Sequence, residues 1–273
     1  MILVDAHVHI YDCFDLEKFF DSTYANFKAA AERLKHSNDF TGILLLAETS
    51  KDKWFHHLSD NADGKDLPRG KNAGNWTFLR TAENCSLCAN SKNSEKLFII
   101  DGHQIVSAEG LEVLSLVMNG KFQDGIPISQ LIKEIKNNDG LPVIPWGFGK
   151  WIGRRGKILE ALIENANKYD FFLGDNGGRP KFLHRPSLFK LSDQQDIRII
   201  PGTDPLPLKS DNGRAGSFGF GLRSSISNDE PGKDILKYLL DPTSEFEYFG
   251  LLEGIYPFLC NQVKLRLRQR SKT

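Results

Sequence analysis

Cysteine is scarce in this chain of 273 residues: the four present, Cys13, Cys85, Cys88 and Cys260, are too few and too scattered to staple a fold of that length, which points to reduced thiols. Net charge is missing too, since 35 Lys and Arg stand against 35 Asp and Glu. A dedicated nucleic-acid binder usually carries a basic footprint, so nucleic acid is not an expected partner. No apolar run approaches the roughly 18 residues that cross a bilayer. The start, Met1-Ile2-Leu3-Val4-Asp5, lacks the basic and long apolar regions of a secretory signal, so the expectation is a cytoplasmic protein with no membrane partner. A Gly-x-Ser-x-Gly elbow, a strand-linked dinucleotide fingerprint and internal repeats are absent as well, which removes the commonest serine-hydrolase and dinucleotide signatures. Nothing in the sequence speaks to oligomeric state.

What remains is an ordinary globular composition, 40% hydrophobic and 26% charged. Short runs of Ile, Val, Leu and Phe at 2–10, 42–48, 97–106, 111–118, 142–148, 170–174 and 197–202 read as buried strands. Between the first two, Leu16, Phe19, Phe20, Thr23, Phe27, Ala30, Ala31 and Leu34 recur at three- and four-residue steps, predicting a helix over 15–35. Ile128 to Ile135, Ile158 to Ile163 and Ile235 to Leu240 repeat that pattern, giving the alternation of βα units. One α/β domain over 1–273 is expected, with a surface insertion at about 59–96 and a helical tail at about 243–273. Lys264, Arg266, Arg268, Arg270 and Lys272 make that tail basic, as a solvated helix end often is.

The sharpest motif is Asp5-Ala6-His7-Val8-His9 on the first strand. Alternation puts His7 and His9 on one face near the strand's C-terminal end, where two imidazoles can hold a divalent metal. Two hydrogen-bonded polar residues are the plainer alternative. A second motif, Ile199-Ile200-Pro201-Gly202-Thr203-Asp204-Pro205, is an apolar strand that stops at a carboxylate able to ligate a metal or take a proton from water, or simply to form a turn. Pro142–Phe148 runs into Gly147-Phe148-Gly149-Lys150-Trp151-Ile152-Gly153-Arg154-Arg155-Gly156 and then a helix. Glycines, a helix N-terminus and three cations suggest a phosphate or carboxylate cradle. Leu173-Gly174-Asp175-Asn176-Gly177-Gly178-Arg179 adds an acid and a cation at another strand tip, in good turn chemistry. Cys85-x-x-Cys88 has half the spacing of a zinc or redox site but no second pair.

An H-x-H on the first strand with Gly-Thr-Asp at the tip of the last resembles the polymerase and histidinol phosphatase (PHP) superfamily and, more distantly, the amidohydrolases. Ile99-Ile100-Asp101-Gly102-His103-Gln104 and Glu109-Gly110-Leu111-Glu112-Val113-Leu114 look like that family's third and fourth strands. The resemblance implies a distorted (β/α)7 TIM-like barrel and a metal-dependent hydrolase of the phosphoesterase kind. It departs from the family pattern at Gln104, Glu112, Pro145-Trp146 and Pro205-Leu206. The resulting expectation is one divalent ion at most (Zn, Mn or Fe), held by His7, His9 and Asp204, with Glu48 and Glu112 as further oxygen ligands. Asp204 and Asp175 would serve catalysis, and Lys150, Arg154, Arg155 and Arg179 would bind an anionic small-molecule substrate. The alternatives are an anion-binding or regulatory protein that holds no metal and does no catalysis, and an amidohydrolase-like C–N hydrolase in which His184 enters the site. His36, His56, His57 and His103 carry little weight.

Overall fold

Twelve strands and seven α-helices make up the computed structural model, which describes residues 1–35, 40–120 and 122–270. In chain order they are β1 (Ile2–Val8), α1 (Leu16–Arg33), β2 (Thr41–Leu46), α2 (Trp54–Ala62), β3 (Trp76–Arg80), β4 (Ser86–Ser91), β5 (Lys96–Ile100), β6 (Gly102–Val106), β7 (Glu112–Leu116), α3 (Ile128–Asn137), β8 (Leu141–Pro145), α4 (Arg154–Glu164), β9 (Phe172–Asn176), α5 (Ser187–Gln194), β10 (Ile199–Gly202), β11 (Gly219–Leu222), α6 (Pro231–Leu240), β12 (Glu247–Phe249) and α7 (Ile255–Arg270). His36 and Lys272 lie outside the described residues.

The strands form a seven-stranded sheet, ordered β12-β11-β1-β2-β5-β4-β3, and a five-stranded sheet, ordered β10-β9-β8-β7-β6. Hydrophobic alternation sorts the side chains into three cores. Leu3, Leu44, Leu46, Leu97 and Ile99 meet α1 and α2, whose Phe19, Phe20, Phe27, Trp54 and Leu58 are buried. Ile2, Val4, Ile43, Leu45, Phe98 and Ile100 share a core with Leu114, Leu116, Val143, Phe172 and Ile200 of the other sheet, joined by the buried Ile235 and Leu239 of α6. Val113, Ile144 and Leu173 pack outward against α3, α4 and α5. α1 forms because its apolar stripe has this partner and because Asp15 caps it, accepting from the Lys18 N–H at 2.9 Å.

The expected (β/α)7 TIM-like barrel of the PHP type is therefore corrected: both sheets are mixed and neither closes. β7 runs antiparallel to β6 and β8, and β11 antiparallel to β1. The reason lies in connection length. Only residues 107–111 separate β6 from β7, and a parallel crossover needs about a dozen. The apolar run at 97–106, expected as one strand, divides at Asp101 into β5 of one sheet and β6 of the other. A Cβ at Gly102 would stand 2.2 Å from the Leu46 carbonyl oxygen, so glycine permits the close approach at that bend. Within 59–96, Leu67 and Ala73 are buried in the first core, and β3 and β4 extend the larger sheet as a hairpin. The segment expected as a helical tail holds β12 before α7 begins.

Candidate metal centre

A bulge in β1 builds the site. Val4 and Asp5 pair in register with Ile43 and Leu44 of β2, but Val8 pairs with Leu46, so Ala6 and His7 together oppose Leu45. The extra residue reverses the alternation. Before it, even-numbered Ile2, Val4 and Ala6 belong to the core shared by the two sheets; after it, Val8 and Ile10 join the core beneath α1. His7 and His9 are thereby turned to the opposite side from Val8, as bulges beside functional sites commonly re-aim side chains.

β10 lies beside the second half of β1 with no ladder between them. Asp5 spans that seam. Its fully buried carboxylate accepts from the Thr203 N–H at 2.8 Å, the Thr203 hydroxyl at 2.6 Å, the Gly216 N–H at 2.9 Å and the His7 N–H at 3.3 Å. One backbone bond follows, from the Asp204 N–H to the His7 carbonyl at 2.8 Å. Asp204 itself has φ +46°, a left-handed conformation uncommon for a residue with a side chain.

That backbone turns the Asp204 carboxylate onto the imidazoles. His7 Nε2 and His9 Nε2 are 3.1 Å apart, and Asp204 Oδ1 stands 3.6 Å from the first and 3.4 Å from the second. Ligands about 2.0–2.1 Å from a tetrahedral zinc are separated by about 3.3 Å, so the three distances suit one ion. Burial pushes His7 down to about 4, with His9 and Lys150 adding to the shift against the pull of Asp204, so at neutral pH it is in the uncharged form a metal requires. Burial opposes the charge on Asp204, but His7, His9 and Lys150 outweigh it and hold the carboxyl below the usual range. Asn176 Nδ2 donates to Asp204 Oδ2, Gln104 is hydrogen-bonded to the His7 side chain, and Tyr11 stacks on His9 with ring centres 5.5 Å apart. Such outer partners fix ligand orientation.

The other expected site residues are placed differently. Lys150 follows β8 and is close enough to act on His7 and Asp204, and its amine is held by Glu112; that ion pair leaves Glu112 outside the metal-binding groups. Arg155 donates to the Gly110 and Gly149 carbonyls, and Arg154 is exposed. Asp175 forms a bidentate pair with Arg179, at 2.8 Å for both bonds, and faces away from the histidines; Asn176, one residue on, takes the inward position. Glu48 lies not with His7 and His9 but in a second group with Asp101 and His103, whose ligand atoms are all within 4.8 Å of one another. There the Glu48 carboxyl is pushed up to about 7 by burial, against the Phe55 N–H that donates to it at 2.6 Å, and His9 also acts on it, so the two groups are neighbours. Among the described residues, two sets of side chains could thus hold a metal ion. Of the second group, sequence reasoning named Glu48 as a ligand but assigned it to His7 and His9, and gave His103 little weight; Asp101 and His103, two apart in the chain as His7 and His9 are, were the signal available. His184 is exposed on the segment before α5 and belongs to neither group.

No family model matches the sequence, and a search of curated proteins finds no match. Among solved structures, the chain superposes on PsfC from Pseudomonas syringae PB-5123 with a TM-score of 0.50 and 14% identity, over 99% of this chain and 98% of that one. At that identity, the likeness is one of overall fold.

Proposed function

We propose that the protein is a metal-dependent hydrolase acting on a phosphoester or a similarly anionic small molecule. The observation that carries this reading is the convergence of His7 Nε2, His9 Nε2 and Asp204 Oδ1 within 3.6 Å of one another, on a backbone bulged at one ligand and left-handed at another. Two imidazoles and a carboxylate suit Zn, Mn or Fe, and three protein ligands leave a position open, as hydrolytic sites do. Such an ion, when bound, supplies Lewis acidity and makes water a nucleophile at neutral pH.

The chain's own residues supply the rest. Asn176 and Gln104 hold Asp204 and His7 in place. Lys150 is the cation of the site: its side chain is 38% exposed while Glu112 fixes the amine, so it can meet the negative charge of a substrate. Burial raises the Tyr11 hydroxyl above its ordinary value, so it keeps its proton and can donate a hydrogen bond. The other expected cations are spent on carbonyls or on Asp175, or exposed, which concentrates substrate recognition on Lys150.

The test uses p-nitrophenyl phosphate and bis(p-nitrophenyl) phosphate with added Mn or Zn. Turnover should require the metal. Asp204→Asn should lower kcat/KM by at least about a hundredfold with the fold intact by circular dichroism. Lys150→Met should raise KM for these esters about tenfold while hydrolysis of neutral p-nitrophenyl acetate stays unchanged. Metal-independent turnover, or metal binding without turnover of either ester, would contradict the proposal; the second result would favour the non-catalytic anion-binding alternative.

A further inference from the structure

The geometry points to a second binding pocket, for a small carboxylate with an apolar or aromatic body, on the side of β9 and β10 away from the histidines. Consecutive residues of these strands face opposite ways. Asn176 reaches Asp204, and a Cβ at Gly202 would stand 2.3 Å from the His7 backbone nitrogen. Their chain neighbours Asp175 and Pro201 line a cavity of about 480 Å³ on the other side, in the range of small-molecule sites.

Its walls are mainly apolar, with Phe189 of α5, Phe218 and Leu252 among them, and Tyr248 of β12 at the edge. Three arginines open into it. Arg179 and Arg185 flank the Phe189 ring, their guanidinium carbons 5.9 and 5.7 Å from its centre. Each is already matched with a carboxylate lining the same cavity, Arg179 with Asp175 and Arg185 with Asp193. Arg198 has no acidic partner in the cavity. One of its terminal nitrogens donates to the Asp241 carbonyl, the guanidinium lies 4.8 Å over the centre of the Phe246 ring, and the other terminal nitrogen, Nη1, is buried with no hydrogen-bond partner.

With one terminal nitrogen on the Asp241 carbonyl and the other buried, Arg198 offers the cavity its positive charge, which no acid of the lining neutralises. The lining carries one positive charge in excess, three arginines against two aspartates, which suits a monoanion. A phosphate dianion would be undercompensated and would leave the apolar walls unused. The aromatic walls accommodate a ring beside the anionic group. The pocket shares no residue with either metal-binding group, so it stands apart from the hydrolase reading.

The probe is 2-naphthoate, with 2-naphthamide as its uncharged counterpart, titrated calorimetrically into wild type, Arg198→Met and Arg185→Gln. We expect saturable one-to-one binding of naphthoate, weakened about ten- to a hundredfold in Arg198→Met, while the amide binds weakly and alike in all three. Arg185→Gln, at a more exposed position, should also weaken naphthoate by leaving Asp193 uncompensated, and decides the matter if Arg198→Met does not fold. The proposal is overturned if naphthoate shows no saturable binding, if the amide binds as tightly, or if the folded variants bind naphthoate as wild type does.

Discussion

Asp5 stands in the most diagnostic motif of the sequence, yet its work is structural. It accepts four hydrogen bonds in a position with no access to water. Asp5→Ala should cost about 3 kcal/mol in urea denaturation, because hydrogen bonds to a charged group are worth about 1.5–3 and the buried donors of Thr203 and Gly216 would be stranded. Thr203→Val, which removes a single donor, should cost about half as much. Cys85 is the opposite kind of residue, conspicuous in the sequence and inert in the fold. Burial, with Glu83 and Asp101 nearby, pushes its thiol up to about 12. At pH 8, four units below, about one molecule in ten thousand carries the thiolate. Iodoacetamide should leave Cys85 unmodified in the native protein and label it after unfolding, as mass spectrometry of the peptides would show. The sign for stability follows: an unfolded thiol ionises near 9, so the contribution of Cys85 is full below that pH and is lost as pH rises toward 12. At this scale His7, His9 and Asp204 were legible because their types and strand-tip positions are distinctive. Asp175 was misplaced because alternation gives the inward position to its neutral neighbour Asn176, and one residue of register is invisible in a Gly-Asp-Asn-Gly sequence.

Between elements, the decisive contact is β1 against β10. Gly202→Ala would put a methyl group 2.3 Å from the His7 nitrogen, forcing apart the two strands that carry the imidazoles and Asp204. Overpacking of this kind costs about 1–3 kcal/mol, and a thermal melt should fall accordingly, with metal affinity dropping more than an equally destabilising change distant from this seam. The strands of β1, β2, β7, β8, β9 and β10 could be located from their apolar runs, and α1 from its stripe, because these segments face the cores continuously. The arrangement of those strands could not. The five residues between β6 and β7 were enough to forbid a parallel crossover, but the strand that changes sheets at Asp101, and the bulge at Ala6-His7, depend on neighbours far along the chain.

Taken whole, the molecule is a layered α/β structure in which the larger sheet carries the histidines and the smaller one carries Asp204's strand. No described helix is long and apolar enough to cross a membrane. A metal that bridges elements of the two sheets should stabilise the native state as a unit. At a free concentration one hundred times its dissociation constant, it should add about 2.7 kcal/mol, and EDTA should remove that increment from wild type but not from Asp204→Asn. The central claim, that His7, His9 and Asp204 hold a divalent cation, is tested most directly by equilibrium dialysis of wild type and of the His7→Ala/His9→Ala variant against zinc at neutral pH. The account predicts that the variant, folded by circular dichroism, loses one equivalent per chain relative to wild type, whatever the Glu48, Asp101 and His103 group retains. Equal zinc content in the two proteins, or none in wild type, would contradict it.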